Sequence, residues 1–220
     1  MFTSGIVPPW FYIMVLIVFI LFVGIGYWVT RSEKGLQTGG DGKLATKAIY
    51  YENRFRASSK PAEIIDVKTN YVGYVKRTFH SIIHQLLTFF LPRRNIQLSG
   101  ENRDESFQIK LHNRNDHKKF LHSSWEMEIT SNGKVEMVTI ESKSEKRSNI
   151  ILSFPYLREM VHVYINLKDS EIRFRKNDLD IAVITYQRKL PPRKVFIDSK
   201  EGELPLLLLA CIFEVVKYYD

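Results

Sequence analysis

Cysteine is almost absent from this chain, which has a single one, Cys211, among 220 residues. One thiol excludes a disulfide framework within the chain, and no Cys/His cluster has the spacing of a zinc site. The sequence also lacks a phosphate-cradling glycine loop, a nucleophile elbow and a His-Glu-x-x-His helix. We therefore expect a protein of a reducing compartment that is not an enzyme and needs no metal or other cofactor.

Charged side chains are missing from residues 1 to 30, so the net charge of +8 belongs to the rest of the chain. Within that stretch, WFYIMVLIVFILFVGIGYWV (10–29) gives 20 uncharged residues. At ~1.5 Å per helical residue, this run has the length of a bilayer core. Because no positive residue precedes it and no small-x-small site follows it, we expect a retained transmembrane helix rather than a cleaved signal peptide.

The flanks of this span predict its orientation. No Lys or Arg precedes it, whereas Arg31, Lys34, Lys43 and Lys47 follow it, and positive flanks tend to stay in the cytoplasm. We expect a single-pass protein of the cell membrane with its N-terminus outside and its main domain cytoplasmic; an export-side domain is the alternative. The predicted parts are a short extracytoplasmic terminus (1–9), the span (10–29), a flexible glycine-containing linker (30–47) and the domain (48–220).

From residue 48 onward, short runs alternate apolar and polar residues and are separated by turn signals, which is typical of strands. The clearest is SSWEMEITSNGKVEMVTIES, where Asn132-Gly133 is a two-residue hairpin turn. A second hairpin is expected in VHVYINLKDSEIRFRK, with its turn at Asp169-Ser170. Roughly ten such runs predict a mainly β (α+β) domain built as a sandwich or a closed barrel.

Two segments break the strand pattern. FHSIIHQLLTFFL (79–91) places apolar residues at helical spacing and predicts one additional amphipathic helix. ELPLLLLACIFEVV (203–216) is too short to cross a bilayer and has almost no polar face before Glu214. A helix that is apolar all round has to be buried all round, so we expect the strands to enclose this one.

The hairpin runs and the terminal acidic-Pro-Leu-rich helix resemble the Tubby C-terminal-like superfamily. This group includes the Tubby proteins, the phospholipid scramblases and the LURP-one-related proteins, and its small bacterial members are the most similar. The segments that carry the resemblance are 71–79, 125–142, 161–176, 179–187 and 203–216. The resemblance implies an antiparallel β-barrel of roughly ten to twelve strands around a central apolar helix.

The resemblance also implies a function at membranes. Tubby proteins bind phosphoinositides through basic residues of the barrel, and scramblases are linked to lipid movement and calcium. This chain has its apolar span at the amino terminus, and it shows no acidic loop with calcium-ligand spacing. We therefore expect binding or scaffolding at the membrane surface, on anionic lipid headgroups or on a protein partner. A scramblase-like lipid-handling protein and an accessory subunit of a larger membrane complex are the alternatives.

Basic residues are the candidates for binding lipid or phosphate, because Arg contacts phosphate bidentately and each basic side chain near anionic lipid adds about 1 kcal/mol. They bracket the amphipathic helix or follow the later strands: Lys76, Arg77, Arg93, Arg94, Arg173, Arg175, Arg188 and Lys189. A helix packed on the barrel and an ordinary charged outer face are the alternatives for the two groups. No nucleic acid is expected as a partner, since a recognition helix and an aromatic base-stacking strand are missing.

Overall fold

The computed structural model describes residues 8–34, 49–54, 58–66, 69–83, 85, 97–114, 124–146, 149–166, 169–186, 193–200 and 202–217. The chain divides into two compact units, Met1–Asp41 and Gly42–Asp220. The first contains one long helix, and the second contains the strands and a shorter helix. Each unit is described by itself.

The first unit contains a 26-residue helix, Pro9–Lys34, which we call α1. Pro9 stands at its first position, where the missing backbone N–H costs no helical hydrogen bond. From Trp10 to Leu21 its large apolar side chains are 40 to 64% exposed. Among the described residues, no helix combines the length and the apolarity that crossing a bilayer requires. The helix predicted at 10–29 is therefore present, but its transmembrane role is not shown.

The second unit is mainly β, as predicted, and its twelve described strands form one closed antiparallel barrel. In chain order the elements are β1 (Ile49–Asn53), β2 (Ala62–Asp66), β3 (Tyr71–Thr78), β4 (Gln97–Asn102), β5 (Phe107–Arg114), β6 (Ser124–Ser131), β7 (Lys134–Lys146), β8 (Asn149–Tyr156), β9 (Glu159–Asn166), β10 (Glu171–Lys176), β11 (Leu179–Tyr186), β12 (Arg193–Ser199) and helix α2 (Leu206–Val216). Each strand pairs with its neighbours along the chain. Pairing of β1 with β12, with Tyr51 opposite Val195, closes the barrel.

The hairpin of β6 and β7 shows why these residues form these strands. Asn132 and Gly133 both take positive φ, 49° and 77°, as a two-residue turn between twisted strands requires. The turn sets Met127 opposite Val138. The face that contains this pair is buried at all five of its apolar positions: Trp125, Met127, Ile129, Val138 and Ile140.

Helix α2 fills the barrel. Every residue from Leu207 to Val216 is buried, as predicted for the terminal apolar stretch, and the helix contacts β2, β3, β4, β5 and β12. It packs tightly against Gly100 of β4, where an added Cβ would lie 2.9 Å from the Sγ atom of Cys211. The missing side chain therefore lets β4 and α2 pack together.

The barrel has two ends, which we name after α2. The helix-exit end holds the last residues of β1 and β3 and the residues that follow α2; there Lys217 Nζ donates to the carbonyl oxygen of Arg54 at 3.5 Å. The helix-entry end holds the turns at 132–133, 157–158 and 177–178. There Lys176 Nζ lies 2.9 Å from a carboxylate oxygen of Glu203, just before α2.

Two predicted segments are described only in part. Of the predicted amphipathic helix 79–91, residues 82, 83 and 85 are helical, and residues 84 and 86–91 lie outside the described residues. Of the predicted linker 30–47, residues 30–34 belong to α1, and residues 35–47 lie outside the described residues. Residues 30–34 of the predicted linker thus continue the helix.

Candidate anion-binding cleft

A small, half-open cleft lies at the helix-exit end. Its walls come from the end of β1, the start of β2, the end of β3 and the last turn of α2. The lining residues are Arg54, Ser58, Lys60, Ala62, Val75, Lys76, Arg77 and Glu214. We call this opening the basic cleft, because four of its eight residues are cationic and one is acidic.

The floor of the basic cleft is a buried group of three charges. Along β3, Gly73, Val75 and Arg77 are buried at alternate positions, so the Arg77 side chain faces the interior. There it donates from its terminal nitrogen to a carboxylate oxygen of Glu214. Lys217 Nζ contacts the same oxygen at 2.6 Å. All three side chains are at most 5% exposed.

Two cations therefore share one oxygen of Glu214. Glu214 Oε1 is buried and accepts no hydrogen bond from the described part of the chain. Burial by itself raises the pKa of Glu214, but the charges and hydrogen bonds of Lys217 and Arg77 outweigh it and lower that pKa below its ordinary value. Glu214 is thus ionised at neutral pH, and the three groups together carry one net positive charge.

The rim of the cleft adds more positive charge. Lys60 is exposed just before β2, and Arg54 is half-buried just after β1. Lys76 points outward from β3 and lies 3.8 Å from a carboxylate oxygen of Glu101 on β4. A surface pair at that separation contributes little, so Lys76 can exchange this partner for an anionic ligand.

An apolar segment follows β3 at the same end. Two contacts attach its start to β4. Gln97 Nε2 lies 3.0 Å from His80 Nε2, and the Thr78 hydroxyl donates a hydrogen bond to Gln97 Oε1 at 3.5 Å. A backbone hydrogen bond from Gln85 to Ser81, at 3.1 Å, closes the helical turn. On that turn the side chains of Ile82 and Ile83 are 76% and 68% exposed.

The structure separates the residues predicted as lipid-binding. Lys76 and Arg77 lie at the basic cleft, although Arg77 faces the interior rather than the outer surface. Arg173 and Arg175 lie on the outer face of β10, a strand that does not line the cleft. The remaining four, Arg93, Arg94, Arg188 and Lys189, lie outside the described residues.

Acidic neighbours accompany both arginines of β10. Arg173 bonds Glu171 and lies 3.6 Å from Asp180. Arg175 Nε donates to Asp180 at 2.6 Å and stacks over the ring of Tyr164 at 5.1 Å. These contacts match an ordinary charged outer face, which was the alternative interpretation of these two arginines.

Arg54 and Lys60 were missed by the sequence reasoning. Both stand between strands, where neither the period-two pattern nor a basic cluster singles them out. They meet Lys76 and Arg77 only because β2 pairs with both β1 and β3. Separately, the described residues contain no group of three or more His, Cys, Asp or Glu side chains suited to a metal ion.

The fold places this chain among closed antiparallel barrels filled by a helix. The family model of the Tubby C-terminal like domain matches residues 49–219, which include all twelve strands and α2. The chain therefore belongs to the Tubby C-terminal like domain family, in agreement with the resemblance of its hairpins and terminal helix. No curated protein and no solved structure matches the chain.

Proposed function

We propose that this protein binds a phosphate-bearing anionic headgroup at a membrane surface and uses the basic cleft of its Tubby-like barrel to do so. Tubby-like domains bind lipids or proteins in general. The observation that carries the proposal is the composition of the cleft, whose lining has four cationic side chains and a single carboxylate. The role is one of binding, without catalysis.

The residues of the cleft suit a phosphate group. Arginine offers two parallel N–H donors to phosphate, and lysine acts as a point charge on a flexible stem. Arg77 is buried and paired with Glu214, so it adds positive charge beneath the cleft, while Lys60 and Lys76 supply the accessible cations. Ser58 adds a hydroxyl donor to the lining. The excess of positive charge also attracts anionic ligands from a distance at low ionic strength.

A membrane anchor completes the proposal. The support for it is the run of uncharged residues at 10–29, followed by Arg31 and Lys34. In this proposal α1 holds the chain at the cell membrane, with the N-terminus outside and the barrel cytoplasmic. A tethered domain gains effective concentration, so weak headgroup affinity suffices. Washing membranes with alkaline carbonate tests the anchor: the chain stays with the lipid if α1 is inserted, and its release would contradict insertion.

Calorimetric titration of the full chain in neutral detergent, with inorganic phosphate and a soluble inositol phosphate, tests the cleft. We expect saturable binding that weakens with salt. The double variant Lys60→Ala/Lys76→Ala removes two charges worth about 1 kcal/mol each, so it should bind roughly 30-fold more weakly.

The matched control removes two arginines from the outer face of β10, Arg173→Ala/Arg175→Ala, and should leave the affinity unchanged. Equal weakening by both double variants would show that only net charge matters. No saturable binding at all would favour the second candidate, in which the same cations pair with carboxylates of an acidic protein partner in a larger membrane complex.

A further inference from the structure

The segment after β3 carries the most exposed large apolar side chains among the described residues. Ile82 is 76% exposed and Ile83 is 68% exposed, above every large apolar side chain of α1 and of the helix-entry end. Single exposed apolar residues are ordinary. Two adjacent isoleucines on one turn are different, because together they expose an apolar surface to solvent.

This surface lies close to the basic cleft. Ile82 is five residues after Arg77 in the sequence. Five residues span at most about 17 Å even when fully extended. The contacts of Thr78 and His80 with Gln97 hold the start of the segment on β4. The exposed isoleucines and the cationic cleft therefore belong to one end of the barrel.

The geometry points to insertion of Ile82 and Ile83 into the apolar region of an anionic bilayer, beside headgroups held by the basic cleft. This inference rests on the proposed function and adds the orientation of the barrel, with its helix-exit end toward the lipid. Cationic side chains with neighbouring exposed apolar residues match the two layers of a membrane surface, charged headgroups above hydrocarbon. An acidic protein surface would match the cations but would cover the isoleucines only if it also carried an apolar patch at that spacing.

The test uses the full chain in vesicles, with a polarity-sensitive fluorophore attached at Ile82→Cys. The native thiol does not interfere, because Cys211 is fully buried and burial raises its pKa. Vesicles of phosphatidylcholine with phosphatidylserine are compared with vesicles of phosphatidylcholine alone, each with and without lipids that carry a quencher in their acyl chains. A matched label at Val135→Cys reports the helix-entry end, where Val135 is 61% exposed.

We expect blue-shifted emission and acyl-chain quenching at position 82 in the anionic vesicles, weaker quenching in neutral ones, and neither at position 135. Absence of quenching at position 82 would overturn the insertion, and so would equal quenching at both positions. The phosphate titration stays as a separate readout. Saturable phosphate binding without quenching at position 82 rules out insertion of the isoleucines but is consistent with the proposed function. Quenching at position 82 without phosphate binding rules out the basic cleft as a headgroup site instead.

Discussion

At the scale of single residues, the decisive arrangement is the group formed by Arg77, Glu214 and Lys217 at the floor of the cleft. A buried carboxylate is costly unless it is paired and hydrogen-bonded. Here two cations approach the same carboxylate oxygen, one at 2.6 Å. Glu214 in turn holds Arg77 in position beneath the cleft, so this one carboxylate contributes to the stability of the barrel.

Replacing this carboxylate should therefore destabilise the barrel. Glu214→Gln leaves two buried cations without a countercharge, and breaking a buried pair in this way costs about 3–5 kcal/mol. Chemical denaturation of the full chain in detergent, followed by the far-ultraviolet β signal, measures the change in unfolding free energy. The control Glu101→Gln removes only the exposed partner of Lys76 and should cost at most about 1 kcal/mol.

The same residue sets a dependence on acid. Since the pKa of Glu214 is lowered in the folded protein from an ordinary value of 4.5, its contribution is fully present above about that pH. It is lost progressively as the pH falls from there through the folded-state pKa. Glu214→Gln should lose less stability than the wild type over this acid range. An identical acid loss in both proteins would show that Glu214 is not responsible.

At the scale of elements, the contact between α2 and β4 determines how tightly the barrel closes on its helix. Gly100 faces α2, and a Cβ at this position would lie 2.9 Å from Cys211 Sγ and 3.0 Å from Leu207 Cδ1. These separations are shorter than ordinary van der Waals contact, so either the helix or the strand would have to move.

Gly100→Ala should therefore destabilise the barrel by about 1–3 kcal/mol, the usual cost of overpacking a core. The shift of the denaturation midpoint measures it. The double variant Gly100→Ala/Cys211→Ala removes the nearer clashing atom and should recover part of the loss. A single variant as stable as the wild type would mean that β4 and α2 are not in this close contact.

The hairpins show how far sequence predicts elements in this fold. The turn at Asn132-Gly133 was predictable, because both residue types accept positive φ. The turn at Leu157 and Arg158 was not, although both residues also have positive φ, 49° and 68°. Neither residue type signals such a turn. Pro155 pairs with Met160 across β8 and β9, and this register leaves Leu157 and Arg158 as turn residues between the strands.

At the scale of the whole molecule, the cleft forms where β1, β2, β3 and α2 come together, and no local sequence pattern predicts it. The sequence predicts the mainly β class, the main hairpins and the buried helix, because each follows from periodicity within one segment. The cleft depends on β2 lying between β1 and β3, a result of pairings along the closed barrel. Lys76 was predictable as part of a basic cluster, whereas Arg54 and Lys60 became visible only once the strands were placed.

The anchor, the cleft and the exposed isoleucines make one account of the molecule, in which the helix-exit end faces an anionic membrane. The most direct measurement is photo-crosslinking of the full chain in vesicles that contain an anionic lipid with a photoreactive headgroup, with labelled peptides mapped by mass spectrometry. The account predicts label within residues 54–60 and 76–83, reduced in Lys60→Ala/Lys76→Ala. Label on the outer face of β10 or at the helix-entry end, with none near the cleft, would contradict it.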